Sequence, residues 1–463
     1  MKKINRNKLI VTGLLLFITV SCDDFIEVEV PADKLTVTTV FESNETARSA
    51  MQGIYNELFR SISFCSGGNN SVTALVGLSS GELFTLLETD LTYREFEENE
   101  INPNNPNNLN LWNSAYNLIY MTNSMLEGVL VSKNISDGVR DQLEGEARFI
   151  RAFTYFNLVN LYGEVPLILS TDYRINAQMG RTSIEEVYDQ ILTDLHEAIA
   201  LLEEIYKDGE RTIVNRFVAE ALLARIYLYR QQWALAEVHS TNVINQSAHY
   251  DLLEDLDQVF LMNSKEAIWQ ISPTGLGSSS TNTKEGALFV SNNPKFAIAE
   301  DLALSIEPGD KRTENWIGLD AERNAYYPYK YKDGRSTNNI TEYSMVFRLA
   351  EQYLIRAEAR TRQGNILGGI SDVDKIKGRA DVDLLSETNP DIDQVGLIEE
   401  ILDERKKELF TEWGHRWFDL KRTGKSSEIL GNGNPLWQDT DVLFPIPEQE
   451  RMKNTNLGQN EGY

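Results

Sequence analysis

Phe217-Val218-Ala219-Glu220-Ala221-Leu222-Leu223-Ala224-Arg225-Ile226-Tyr227-Leu228, then the turn Arg230-Gln231-Gln232, then Trp233-Ala234-Leu235-Ala236: this stretch, within residues 214–247, decides the fold class. Phe217, Ala221, Ala224 and Leu228 recur at i, i+4, i+7 and i+11, which places them on one face of a helix. Beyond the turn, Trp233, Ala236 and Val243 line a second helical face. Ala224 and Ala236 are small enough to let the two helices approach closely. A second pair runs from Tyr343 through Arg362-Gln363-Gly364 to Lys377, with Val346, Ala350, Tyr353, Leu354 and Ala357 toward the core.

A helix pair of roughly 34 residues, found twice, resembles a tetratricopeptide unit; the alternative is an unrelated pair of amphipathic helices. Leu109 to Val131 and Gly138 to Leu161 read as a further long helical pair. In its second member Leu143, Ala147, Ile150, Thr154 and Leu158 keep one face, thickened by Phe149, Phe153 and Phe156. Gly163 and Pro166 end that helix. Ser183 caps the next one, with Glu186 at the capping-box position. Ser43 or Asn44 caps a helix reaching about Arg60. Residues 61–108 show no period, and the Asn/Pro tract Asn102 to Asn108 reads as a surface loop. Residues 265–340 differ again: Ile268-Trp269-Gln270-Ile271 is strand-like, Pro273 to Ser280 is a Gly/Ser-rich loop, and Tyr326-Tyr327-Pro328-Tyr329-Lys330-Tyr331 is an aromatic cluster between loops. The expected fold is therefore mostly α, with tetratricopeptide-like helical repeats and an inserted irregular lobe of loops and short strands.

The composition is that of a globular protein, with 41% hydrophobic and 25% charged residues. Acidic residues outnumber basic ones, 70 to 44, for a net charge of −26. Nucleic-acid binding neutralises phosphates with Lys and Arg, so this balance argues against a nucleic-acid partner. It argues equally against a basic face on an anionic membrane. At the N-terminus Lys2, Lys3, Arg6 and Lys8 precede the apolar run Leu9 to Val20, then Ser21-Cys22. The run is shorter than the about 20 apolar residues of a membrane span, and residues 1–21 read as a signal peptide. Cys22 stands where a bacterial lipobox has its acylated cysteine; the alternative is an ordinary signal peptide with an incidental cysteine. Residues 22–40 then form a lipidated tether and 41–463 a single domain. With Cys22 acylated, Cys65 is alone, which leaves no disulfide framework and suggests a small buried residue.

The four histidines, His196, His239, His249 and His415, lie far apart without ligand spacing, so no metal is expected. Asp381-x-Asp383 and Asp391-x-Asp393 have carboxylates that could touch calcium, but both lack the glycine and terminal glutamate of an EF-hand. Gly275-Leu276-Gly277 lacks both the third glycine of a dinucleotide fingerprint and the lysine of a P-loop. No nucleophile elbow is present, and no cofactor is implied.

Three C-terminal segments carry a resemblance. They are Phe347-Arg348-Leu349-Ala350-Glu351-Gln352-Tyr353-Leu354-Ile355-Arg356-Ala357-Glu358-Ala359, then Glu404-Arg405-Lys406-Lys407-Glu408-Leu409-Phe410 with Gly414-His415-Arg416-Trp417-Phe418-Asp419-Leu420-Lys421-Arg422, then Phe444-Pro445-Ile446-Pro447 with Asn456 to Tyr463. With Cys22 and Arg148 to Pro166, they make the chain similar to the SusD/RagB outer-membrane lipoproteins of Bacteroidetes. Physically these segments look structural: Ile398, Leu402, Arg405 and Leu409 share a helical face, so Arg405 needs a partner, and Glu408 or Asp419 would supply it. Phe444-Pro445-Ile446-Pro447 reads as a stiff extended strap.

The resemblance implies a non-enzymatic, surface-exposed, lipid-anchored protein that captures a glycan or other nutrient and delivers it to a SusC-like TonB-dependent transporter. It implies that the helical repeats face the transporter and that the irregular lobe helps form the ligand surface. Sugars offer apolar C–H faces ringed by hydroxyls, so their sites pair exposed aromatic planes with a few polar groups. The candidates are Trp316, Tyr326, Tyr327, Tyr329 and Trp269 in the lobe, with Glu82, Phe84 and Tyr93 from the irregular N-terminal segment. Two other readings stay open: a helical-repeat scaffold binding a protein or peptide without glycan binding, and a glycosidase whose carboxylate pair sequence alone does not locate.

Overall fold

The computed structural model describes residues 40–60, 62–87, 89–273, 281–335 and 339–463. The expected signal peptide, Cys22 and the tether as far as Thr39 lie outside the described residues, as does most of the Gly/Ser-rich loop.

Ser43 caps α1 (Asn44–Phe59) by accepting the Thr46 backbone N–H, which satisfies a donor that a helix start leaves open. Helices α2 (Val72–Ser79) and α3 (Leu91–Glu97) fill the region that showed no period. Every residue of α2 is buried, so it has no polar face from which a period could arise. The Asn/Pro tract is a surface loop only as far as Asn104; its second half is a correction to that expectation, because it opens α4 (Pro106–Val131). Asn105 accepts the Asn107 and Asn108 N–H groups, and Pro106 occupies the first turn, where its missing N–H costs nothing. Asn108 is buried because both ends of its carboxamide are satisfied: Nδ2 donates to the Pro445 carbonyl at 2.8 Å and Oδ1 accepts the Tyr162 hydroxyl at 2.8 Å.

Helix α5 (Asp137–Tyr162) ends at Gly163, whose φ of 72° suits glycine. The Ser183 hydroxyl oxygen accepts the Glu186 N–H at the start of α6 (Ile184–Leu201) and donates to the Glu186 carboxylate at 2.6 Å. There follow α7 (Arg216–Tyr229), α8 (Trp233–Ile244), α9 (Leu349–Arg362), α10 (Ile366–Arg379), α11 (Gln394–Glu408) and α12 (His415–Arg422). From α4 to α11 each helix packs on the next. Residues 245–348 interrupt this stack between α8 and α9, yet those two helices still pack on each other. The expected helical repeats with an inserted lobe are thus the architecture found. Cys65 is buried, and among the described residues no helix is long and apolar enough to cross a membrane.

The lobe has two small sheets. Strands β1 (Leu83–Thr85), β3 (Phe296–Ile298), β4 (Ile317–Asp320) and β5 (Ala325–Pro328) form an antiparallel sheet in the order β1-β3-β5-β4. At the root of the insertion β2 (Ala267–Ile271) pairs with β6 (Ser344–Arg348), and both are buried throughout. Val346, expected on a helix face, belongs to β6; α9 starts only at Leu349, with Arg348 as its cap. The ladder to β2 supplies the backbone partners that hold this run extended.

The motif residues of the C-terminal segments form a buried ion network that fastens the lobe to the stack. Glu408 accepts from Arg348, Arg379 and Arg312. Arg348 also reaches Glu266 at 3.0 Å and Glu412 at 2.8 Å, and Lys330 meets Glu412 at 2.5 Å. Arg312 meets Asp310 at 2.7 Å and Glu404 at 2.5 Å. Arg405 takes Asp419, one of its two expected partners, at 2.7 Å; Glu408 is already occupied. All four residues of the strap Phe444-Pro445-Ile446-Pro447 are buried, and the Phe444 N–H donates to the Leu161 carbonyl at 2.8 Å.

One buried carboxyl outside this network sets a pH dependence. Glu146 on α5 is pushed up to about 7, chiefly by burial, with the Gln142 and Tyr55 hydrogen bonds and Arg48 opposing. Below about 4.3, the unfolded value, both states hold the proton. Between there and 7 the unfolded chain releases it first, so stability falls as pH rises through that window and levels off above it. Glu146→Gln is therefore expected to raise unfolding free energy at pH 8 by on the order of 1–3 kcal/mol and to change little at pH 4. Urea unfolding at the two pH values checks this; equal shifts at both would refute it.

Candidate ligand surface

The four-stranded sheet brings together residues that are far apart in the chain. Leu83 pairs with Ile298, Phe84 with Ala297 and Thr85 with Phe296. Ile298 pairs with Tyr326, and across the hairpin Gly318 pairs with Tyr327 and Leu319 with Tyr326. Side chains alternate along a strand, and paired residues share a face. Leu83, Phe296 and Ile298 therefore point to one face, where they are buried. Phe84, Ala297, Tyr327 and Gly318 form a row across the other face. Adjacent strands lie about 4.8 Å apart, so Phe84 and Tyr327, two strands apart, are separated by about 10 Å.

Small residues make room for the rings in this row. A Cβ built on Gly318 would sit 2.1 Å from Cζ of Tyr327, so the Tyr327 ring lies over the bare glycine. Tyr329, two residues on and beyond the strand end, meets Tyr327 edge-on, with ring centroids at 5.8 Å and planes at 83°. Phe84, Tyr327 and Tyr329 are each half-buried, so part of each ring reaches solvent. Asp320 shares the Gly318 face by alternation. Its carboxyl is held below the usual range, first by the Arg323 guanidinium that donates to it at 2.6 Å. Lys332 places its ammonium 4.0 Å from the Tyr329 ring. Burial, then Tyr329 and Asp320, push the Tyr327 hydroxyl above its usual value, which keeps it a donor as well as an acceptor. The Lys332 ammonium is already held by the Asn315 and Tyr329 carbonyls and by Asp257, so the surface consists of three aromatic edges and planes able to stack on apolar C–H faces, with the Tyr327 hydroxyl and the Asp320 carboxylate to bond hydroxyls.

The other candidates lie elsewhere. Trp316 is fully buried: its indole N–H donates to the Leu256 carbonyl at 3.2 Å, and Lys330, Arg348 and Arg379 pack on its rings at 4.8, 5.6 and 5.6 Å. The expectation of a Trp316 platform is corrected, because its π-face is taken by the cations of the ion network. Trp269 is also fully buried, edge-on to Phe149 at 5.1 Å, with its N–H on the Thr212 carbonyl. Tyr93 is buried edge-on against Phe296 at 5.0 Å and accepts from Asn69. Glu82 is buried beneath the sheet and pushed up to about 7 by burial, so it offers no exposed carboxylate. Tyr326 is half-buried on the opposite, core-facing side. Of the eight, the sheet gathers Phe84, Tyr327 and Tyr329. Sequence reasoning missed Ala297, which lies between Phe84 and Tyr327, and Gly318, over which the Tyr327 ring lies. Their only local signal was two small residues in strand-like runs. Among the described residues no acidic, histidine or cysteine cluster could hold a metal. Asp381 pairs with Lys311 at 3.3 Å, and Asp393 caps α11.

Comparison with known proteins places this geometry. Residues 30–228 match the family described as starch-binding and associating with the outer membrane, and residues 306–463 match the SusD family. Two SusD-like proteins of Formosa agariphila are 25% and 28% identical, over 98% of this chain and 99% of each relative. The starch-binding protein SusD of Bacteroides thetaiotaomicron is 34% identical over 26% of this chain. Among solved structures, a SusD superfamily protein of Bacteroides vulgatus superposes with a TM-score of 0.80 at 20% identity, covering 91% of this chain and 99% of that one. A laminarin-binding SusD-like protein superposes at 0.77 with 23% identity, covering 91% and 100%. Those two likenesses carry the fold. The two family matches take in helices α1 to α7, the last part of the inserted lobe and the ion-paired C-terminal segments, the relatives run through the rest, and the chain belongs to the SusD family.

Proposed function

We propose that this chain is a glycan-capture protein of the outer-membrane surface that binds saccharide on the Phe84–Tyr327–Tyr329 face and passes it to a SusC-like TonB-dependent transporter. Acylated Cys22 would hold it to the membrane, followed by the tether of residues 22–40 and a single ligand-binding unit, 41–463. The observation that carries the reading is the sheet register, which sets the half-buried Phe84 and Tyr327 in one row, with the buried Ala297 between them and Gly318 beneath the Tyr327 ring. The relatives support the ligand class, since one is named for starch and a fold neighbour for laminarin. The capture step needs no bond making or breaking, so the reading is of a binding protein without catalysis.

Titration calorimetry of the full chain against starch- and laminarin-derived oligosaccharides tests it, with a reducing-end assay on the same mixtures. Saturable binding with no new reducing ends is the expected result. Mutation-sensitive release of reducing ends would replace the reading with a glycosidase. Absence of binding to any glycan, together with capture of a peptide, would replace it with the scaffold reading.

A further inference from the structure

A groove of about 400 Å³ opens on the helical side of the molecule, between α4, the segment 166–177 and the C-terminal residues 450–457. Along α4, Trp112, Tyr116 and Tyr120 stand at i, i+4 and i+8, one stripe with steps of about 6 Å along the axis. The stripe runs from inside to outside: Trp112 is buried, Tyr116 half-buried, and Tyr120 is 55% exposed. Tyr173 completes the lining and is 77% exposed. Large rings held in water mark contact surfaces when they cluster around a concavity.

The segment carrying Tyr173 is tied down. The Glu127 carboxylate accepts the Thr171 N–H at 2.8 Å and its hydroxyl at 2.5 Å. Asn123 donates to the Ile168 carbonyl at 3.0 Å, and the Tyr155 hydroxyl accepts the Ile168 N–H at 2.6 Å. Tyr173 is thus presented from a preorganised backbone, which lowers the ordering cost of binding. Asn176, also in the lining, donates Nδ2 to the Ser170 carbonyl at 2.8 Å, which fixes the carboxamide and leaves Oδ1 as an oriented acceptor. The two charged residues of the lining, Glu450 and Lys453, pair with each other at 2.7 Å. The groove therefore offers rings and a fixed amide but no uncompensated charge.

We infer that this groove is a second saccharide site, taking a neutral sugar chain whose apolar faces lie on Tyr120 and Tyr173 while its hydroxyls meet Asn176. An acidic sugar would find the lining's one cation, Lys453, already paired with Glu450. The volume falls within the usual range for ligand clefts. The site is distinct from the sheet face: the Trp112 ring meets Tyr162 at 5.0 Å, Tyr162 meets Phe444 at 6.2 Å and Phe444 meets Phe96 at 5.5 Å, so buried ring layers separate it from the lobe. It does not rest on the sheet-face reading, and two such sites would hold one long chain at two points, multiplying avidity.

The test uses the full chain in a detergent without a sugar headgroup, titrated with maltoheptaose and with laminarihexaose. Wild type is compared with Tyr120→Ala/Tyr173→Ala and with Phe84→Ala/Tyr327→Ala. Expected is two equivalents of one of these sugars per chain, with the groove variant losing one of them or binding it at least about tenfold more weakly. Both tyrosines are largely exposed, so circular dichroism and the unfolding midpoint of that variant should match wild type. The inference is overturned if the groove variant titrates like wild type, or if neither sugar binds the wild type. It is also overturned if the variant keeps sugar binding and loses an envelope protein, which would make the groove a protein-docking face. Loss in the lobe variant alone would leave the sheet-face reading standing and this one refuted; loss in the groove variant alone would do the reverse.

Discussion

Glu408→Gln is expected to destabilise the fold by about 3–5 kcal/mol, the scale for breaking a buried ion pair by removing one partner. Glu408 is fully buried and takes Arg348, Arg379 and Arg312 at once. Burial works against its charge, but the three guanidiniums win and hold its carboxyl far below the usual range. A neutral amide leaves those cations sharing Glu266, Glu404, Glu412 and Asp310, with an NH₂ turned toward donors. Because the folded value is depressed, the contribution is fully present above about 4.3 and is lost as pH falls below it. The variant's deficit in urea unfolding should therefore be largest at pH 7 and shrink toward pH 3. A constant deficit would mean that packing, not charge, is what Glu408 supplies. Lys330 and Arg312 come from the lobe while Glu408 and Glu404 come from α11, so the lobe should loosen first, seen as faster amide exchange in β4 and β5.

The same network explains which parts of the molecule could be read from sequence. The pair α7–α8 was legible because two long helices, a tight turn and small contact residues sit within one short window. Helix α2 was not, since burial on every side erases the period. The second half of the tract Asn102 to Asn108 misled because asparagine usually signals turns; the burial of Asn108 depends on Pro445 and Tyr162, partners far along the chain. Trp316 misled for the same reason. Its neighbours Arg348 and Arg379 are remote in sequence, and nothing local says that cations will cover an aromatic ring. The candidate surface was half legible. Composition pointed to Tyr327, Tyr329 and Phe84, but their meeting rests on the β1–β3 pairing, a register between segments some two hundred residues apart. The groove had a local signal that the reading passed over, the aromatic stripe Trp112, Tyr116 and Tyr120, because an aromatic at helical spacing is first taken for core.

Phe84→Ala with Tyr327→Ala is expected to weaken glycan binding on the order of 100-fold, since each truncated aromatic anchor at a binding surface costs about 1–2 kcal/mol. Both rings are half-buried, so the double variant loses some stability too, and a weak titration alone would not separate a missing platform from a loosened lobe. Gly318 supplies the separation. The three atoms nearest a methyl at Gly318 would all belong to the far end of the Tyr327 side chain, the first at 2.1 Å, so the ring can swing aside with the strand intact. Gly318→Ala should therefore leave the unfolding midpoint close to wild type while weakening the same glycan roughly tenfold or more. If that variant binds like wild type although its ring has moved, as a changed Tyr327 environment in near-ultraviolet circular dichroism would show, the Tyr327 plane is not what the sugar rests on. Agreement between the two variants would tie affinity to where one ring lies, which is the property that the register of this small sheet determines.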